Sequence, residues 1–261
     1  MGKASKGSTG KGNAARGLSA RVAAVVVASL LHAASATADP AEKVFMPTVV
    51  QGEAELELLG GYQSWPGNDE NRLRQFIGEI GYGVTSWWKT ELGIGTTRVP
   101  NESYRLDELE WENTFALTEP GQYWLDLGLF AEFARDYAEE RNEIAIGPMF
   151  QKEFGPLLAN VNVFFARGLG AGAERGAEVS YQWQVKWRGD PRFEPGLQGF
   201  GALGRTNDFG HETQGKIGPA FFGQIPTGGS TKLKYDAAVL FGVNKNTPDT
   251  TLRFQIEYEF Y

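Results

Sequence analysis

The chain has 261 residues, no cysteine, 34 glycines, 13% aromatic residues and a formal net charge of −7. Its acidity makes it a poor partner for a nucleic-acid backbone, and the lack of cysteine removes disulfide staples, so stability must come from pairing every strand. Beyond the N-terminal segment no apolar run is long enough for a membrane-spanning helix.

That first segment reads as a targeting sequence. Lys3, Lys6, Lys11, Arg16 and Arg21 form a basic region, Val22 to Leu31 an apolar one, and Ala36-Thr37-Ala38 a small-residue cleavage site before Asp39. The expected division is a cleaved signal peptide over 1–38 and a single domain over 39–261. Removing the leader's cations leaves a more acidic chain.

After an extended lead, Ala41 to Thr48, a two-residue rhythm begins. Successive side chains of a strand point to opposite faces. In the first predicted strand Glu53, Glu55 and Glu57 alternate with Ala54, Leu56 and Leu58, running on to Tyr62. Pro66-Gly67-Asn68-Asp69 is turn chemistry. The second strand, Arg72 to Tyr82, has Phe76, Ile80 and Tyr82 in phase. The third, Trp87 to Thr97, sets Trp88, Thr90, Leu92 and Ile94 against Lys89 and Glu91. The fourth, Asp107 to Leu117, opposes Leu109, Trp111 and Phe115 to Glu108, Glu110 and Glu112. In the fifth, Tyr123, Leu125, Leu127, Leu129, Ala131 and Phe133 face away from Asp126, Gly128 and Glu132.

The sixth, Ile144 to Phe154, contains Pro148, which removes a ladder donor and predicts a bulge or local break; Lys152 falls on its apolar parity. A seventh carries Val161, Val163 and Phe165. The clearest alternation is the eighth, where Val179, Tyr181, Trp183, Val185 and Trp187 oppose Glu178, Ser180, Gln182, Gln184 and Lys186. A glycine-rich ninth, Leu197 to Gly204, is followed by a predicted polar loop around Asp208 to His211, a tenth strand near Ile217 to Gln224, and an eleventh, Leu233 to Val243.

The last stretch, Thr251 to Tyr261, places Leu252, Phe254, Ile256, Tyr258 and Phe260 on one parity and Arg253, Gln255, Glu257 and Glu259 on the other. A strand so divided lies between oil and water, and ending on aromatics it resembles the closing strand of bacterial outer-membrane β-barrels, which is read by the barrel-assembly machinery. About twelve strands near ten residues long predict an all-β fold, a transmembrane antiparallel up-and-down barrel. Such a barrel leaves no backbone group unpaired against lipid. With both termini periplasmic, the external loops begin at Ser64, Arg98, Arg135, Gly168, Arg205 and Asn244, and most are expected to be the longer set.

The charged parity supplies the candidate solute path: Glu53, Glu55, Glu57, Arg72, Arg74, Lys89, Glu91, Glu108, Glu110, Glu112, Asp126, Glu132, Glu178, Lys186, Arg253 and Glu257. Two readings compete: a hydrated, acid-rich lumen disfavouring anions, or paired charges that brace a nearly closed barrel. The aromatics Tyr62, Tyr82, Trp88, Trp111, Tyr123, Trp183, Trp187 and Tyr258 read as girdles at the membrane interfaces. Enzyme chemistry is not expected. After the leader the single histidine, His211, lies in a predicted loop, so a serine triad would have no base. Glutamates at every second position are what a water-facing strand produces, so no metal is assigned, and Gly168 to Gly172 has no following helix to cradle a phosphate or other cofactor.

Tyr82-Gly83-Val84-Thr85, the strand Trp88 to Gly95, and the ending Gly242 to Phe260 are similar to a family of transport barrels named for the meta-pathway of phenol degradation. The resemblance implies a Gram-negative outer-membrane, porin-like channel for uptake of small solutes, aromatic compounds among them. The alternative is a closed structural or surface-binding barrel without transport.

Overall fold

The computed structural model describes residues 39–137, 140–171 and 173–261. Twelve strands follow one another: β1 (Ala54–Ser64), β2 (Arg74–Gly83), β3 (Trp88–Arg98), β4 (Arg105–Ala116), β5 (Asp126–Asp136), β6 (Arg141–Phe154), β7 (Leu157–Leu169), β8 (Glu178–Trp187), β9 (Glu194–Arg205), β10 (Asp208–Gly228), β11 (Thr231–Gly242) and β12 (Thr250–Phe260). Each pairs antiparallel with its sequence neighbours, and β12 returns to β1 to close the barrel. The closing ladder runs unbroken from Ala54↔Phe260 to Ser64↔Thr250. The rim carrying Ala54 and Phe260 is called the near rim, and its opposite the far rim.

Register brings the apolar parity into one belt. Around the outside, Tyr258, Leu56, Ile80, Leu92, Trp111, Phe133 and Ile144 stand opposite one another from strand to strand. Ile80 and Leu92 are 55% and 59% exposed. A contiguous apolar belt of this extent requires an apolar surrounding. On the inner face glycines alternate with acids in β2 and β3. A Cβ on Gly95 would stand 2.7 Å from Glu108, and one on Gly93 would stand 2.9 Å from Glu110, so the acids of β4 lie over bare backbone.

Several details differ from the sequence reading. At Pro148 the β6–β7 ladder loses its Gly147 and Pro148 pairs but resumes in phase at Met149↔Asn162, so there is a local break without a bulge. Gly218-Pro219 makes the same break between β10 and β11. The predicted polar loop around Asp208 to His211 is the start of β10, where Asp208↔Arg205 and Phe209↔Gly204 form a projecting hairpin. Register shifts there, between Phe209 and Gln214, absorb the polar residues. The far-rim connection 206–207 is therefore tight, whereas 117–125 at the near rim is long, against the expected asymmetry. Connection 188–193, expected to be long, is closed by an Asp190↔Phe193 bridge.

Candidate functional site: the lumen and the segment that fills it

The lead occupies the lumen. Pro40 lies against Gly61 of β1, so closely that a Cβ there would stand 2.1 Å from the Pro40 carbonyl, and the Val50 carbonyl comes equally close to Gly83 of β2. The lead therefore runs from the near rim, at Val50, into the far half, where Lys216 of β10 donates to the Asp39 carbonyl at 2.8 Å.

Its extended backbone sends alternate side chains to opposite walls. On one face Ala41 packs on Leu59 and Ile77, Lys43 reaches the acids of β1 to β4, and Phe45 packs on Phe130, Met149 and Phe164. On the other face Glu42 pairs with Lys216 at 2.5 Å, Val44 packs with Phe200, Phe222 and Leu240, and Met46 accepts a contact from Gln184. Main-chain groups are held by side chains of the wall: Gln75 accepts from the Ala41 amide at 3.2 Å, and Asn162 donates to the Phe45 carbonyl at 3.1 Å.

The ammonium of Lys43 is the centre of this arrangement. It lies 3.0 Å from Glu112, 3.4 Å from Glu57 and 3.7 Å from Glu91, touches Glu79, and sits 4.8 Å from the centre of the Phe45 ring. Beside it Lys89 bridges Glu55 at 2.9 Å and Glu91 at 3.2 Å. Across the lumen the bases gather on β8 to β12. Lys186 pairs with Glu194 at 2.8 Å, Lys234 with Glu257 at 3.1 Å, Lys232 and Lys234 both hold Glu259, and Arg253 meets Asp236 at 2.5 Å. An acidic wall thus faces a more basic one, and Lys43 and Glu42 of the lead each point at the wall of opposite charge.

Of the sequence-predicted path residues, Glu53, Glu55, Glu57, Glu91, Glu112, Asp126, Glu178 and Arg253 are buried inside. Lys89, Glu108, Glu110, Glu132, Lys186 and Glu257 are partly buried. Two are placed elsewhere. Arg72 is exposed in connection 65–73, at a positive φ of 65°. Arg74 stands opposite outward-facing Tyr62, with its guanidinium 6.0 Å from that ring. Arg74 shares the parity of Phe76, and proximity in sequence to the charged residues obscured that phase.

Among the aromatics, Tyr82, Trp88, Trp187 and Tyr258 stand near the near rim, Tyr62 near the far rim, and Tyr123 in connection 117–125. Trp111 and Trp183 sit nearer mid-strand, where Trp111 donates to Thr90 at 2.9 Å and Trp183 lies over Gly199.

The lead separates the remaining space. A cavity of about 150 Å³ toward the far rim is lined by Glu108, Glu110, Glu132 and Glu143. Toward the near rim lie one of about 380 Å³, beside Lys186 and Lys234, and one of about 210 Å³, beside Lys89 and Glu55. Lead residues line all three.

Sequence reasoning missed Glu42, Lys43, Val44, Phe45 and Lys216. A signal for them exists in the apolar residues that interrupt the polar parity: Leu59, Ile77, Phe130, Phe164, Phe200, Phe222 and Leu240. All are buried, and each belongs to a cluster that includes or touches the lead.

Neither a protein-family model nor a curated protein sequence matches the chain. Solved structures do. An outer-membrane channel from Pseudomonas putida F1 aligns with a TM-score of 0.55 at 13% identity, over 85% of this chain and 98% of that one. The NanC porin aligns at 0.52 and 14%, over 79% and 99%. The fold is shared with bacterial outer-membrane channels. At these identities the likeness is one of architecture: a closed barrel with an apolar outer belt and a charged interior.

Proposed function

We propose that this protein is an outer-membrane channel for small hydrophilic solutes, with a lumen held shut by its own lead. The observation that carries the reading is the lead itself. It is bound to both walls by side-chain contacts and side-chain-to-backbone hydrogen bonds rather than by a strand ladder, so it can leave without breaking a rung of the barrel. A closed barrel whose purpose is rigidity gains nothing from a charged, separable segment, since an apolar filling of equal volume is as stable or more so.

In this reading residues 1–38 are a signal peptide removed on export and the near rim faces the periplasm. The assembly machinery recognises β12, and the outer belt contacts lipid. The acid-rich path Glu108, Glu110 and Glu112 favours cations over anions. Uptake of aromatic compounds rests on the family resemblance of three short segments, and the charged lining argues for water-soluble solutes instead.

The test is single-channel recording of the refolded barrel in planar bilayers. Discrete conductance steps, with a reversal potential that shifts toward anions when Glu108, Glu110 and Glu112 are replaced by glutamine, support the channel. An intact barrel that never conducts, with the triple variant altering stability alone, favours the structural barrel.

A further inference from the structure

We propose that the pocket formed by Glu57, Glu79, Glu91 and Glu112 is a recognition site for a small primary-ammonium solute, and that Lys43 is a tethered stand-in for that solute. The inference rests on the channel reading and deepens it by naming what the path takes.

Lys43 presents a primary ammonium with three donors to four carboxylates. The pocket is therefore richer in acceptors than its present occupant can use. Glu57 is 9% exposed, its Oε2 faces the ammonium at 3.4 Å, and its Oε1 has no hydrogen-bond partner. With Glu79 and Glu91 it offers oxygens within 4.8 Å of one another. Lys89 neutralises part of the charge at Glu55 and Glu91 but does not reach Glu57, Glu79 or Glu112.

The dimensions favour an ammonium over a bare metal ion. Contacts of 3.0 and 3.4 Å are those of nitrogen donating to carboxylates, whereas calcium draws oxygens in to 2.3–2.6 Å. The Phe45 ring, 4.8 Å from the nitrogen, adds an aromatic face of the kind that stabilises organic cations. Because both Lys43 and Phe45 belong to the lead, an incoming ammonium competes with the element that closes the lumen. Occupancy and opening are then linked, as any ligand is linked to the state that binds it better.

The experiment is chemical rescue. Lys43→Ala removes a propylammonium group and leaves its space, so the probe is n-propylammonium chloride added to the refolded full barrel. Thermal unfolding is read as the loss of the compact band on unboiled gels. The expected result is a saturable rise in the K43A transition temperature that is absent in the wild type and absent with n-propanol. Adding Glu112→Gln should weaken the apparent affinity about tenfold, the loss of one charge-assisted hydrogen bond. Should K43A not refold unaided, propylammonium present during refolding should restore its yield. The bulkier Lys43→Met variant, which fills the stem space, should refold and show no rescue. No rescue of either stability or yield, equal shifts in wild type and K43A, or rescue by calcium and not by the amine would each overturn the proposal. The readout requires no current, so a barrel that binds the amine but never conducts refutes the channel and spares this site. A barrel that conducts without rescue does the reverse.

Discussion

Replacing Phe45 by alanine should unseat the lead and leave the barrel wall intact. The Phe45 ring lies 4.2 Å from that of Phe130 and 5.7 Å from that of Phe164, with Met149 completing the cluster. Truncating a packed phenylalanine costs roughly 3–5 kcal/mol, and because Phe45 is only partly buried the lower end, about 3 kcal/mol, applies. At 1.4 kcal/mol per factor of ten, the equilibrium between seated and displaced lead moves by about two powers of ten. None of that loss falls on a strand ladder, since the lead contributes no rung to the barrel. The assay is open probability in planar bilayers, with the compact band on unboiled gels as proof of folding. A closing control is available because the chain has no cysteine: Ala41→Cys with Leu59→Cys, neighbours in one cluster, should lock the lead when oxidised and release it when reduced. If F45A is folded and gates like the wild type, and the disulfide changes nothing, the lead does not close the lumen and the argument fails.

Gly61→Val should displace the lead from the other side, because its side chain would enter the Pro40 backbone; conductance should rise with little change in barrel stability. Arg253→Met should destabilise the barrel by roughly 3–5 kcal/mol in guanidinium unfolding, since it strands the Asp236 carboxylate, and adding Asp236→Asn should recover most of the loss. The Tyr261 hydroxyl donates to Glu53 at 2.6 Å, and this bond, with some help from burial, pushes the phenol up to about 12. A pKa raised on folding stabilises fully below the ordinary value near 10 and is lost as pH rises through about 12. Difference absorbance on alkaline titration should therefore show one late phenolate in the wild type, moved back toward 10 in Glu53→Gln; an unchanged titration would show that the bond is not formed.

How much of this could be read from the residues alone depends on whether the pattern was periodic. Strands such as β8 and β12 announce themselves, because a wall between oil and water must alternate and the alternation survives in one dimension. β10 does not: its first residues, Asp208 to His211, project beyond the barrel, where nothing apolar selects one face. Arg74 misled for a related reason, since charge at a strand end is tolerated outward at the rim and its sign alone does not report a side.

The two-residue rhythm by itself determined a closed twelve-stranded wall, its apolar outside and its charged inside, because burial or exposure of each parity is a property of the strand. It could not determine what stood in the middle. That Leu59, Phe130, Phe200 and Leu240 are inward residues waiting for Ala41, Val44 and Phe45, and that the surplus of glutamates on β1 to β4 closes around Lys43, was decided only when the wall curved round and brought distant strands to bear on one extended segment. Contacts across a lumen have no period along the chain, and only closure of the barrel creates them.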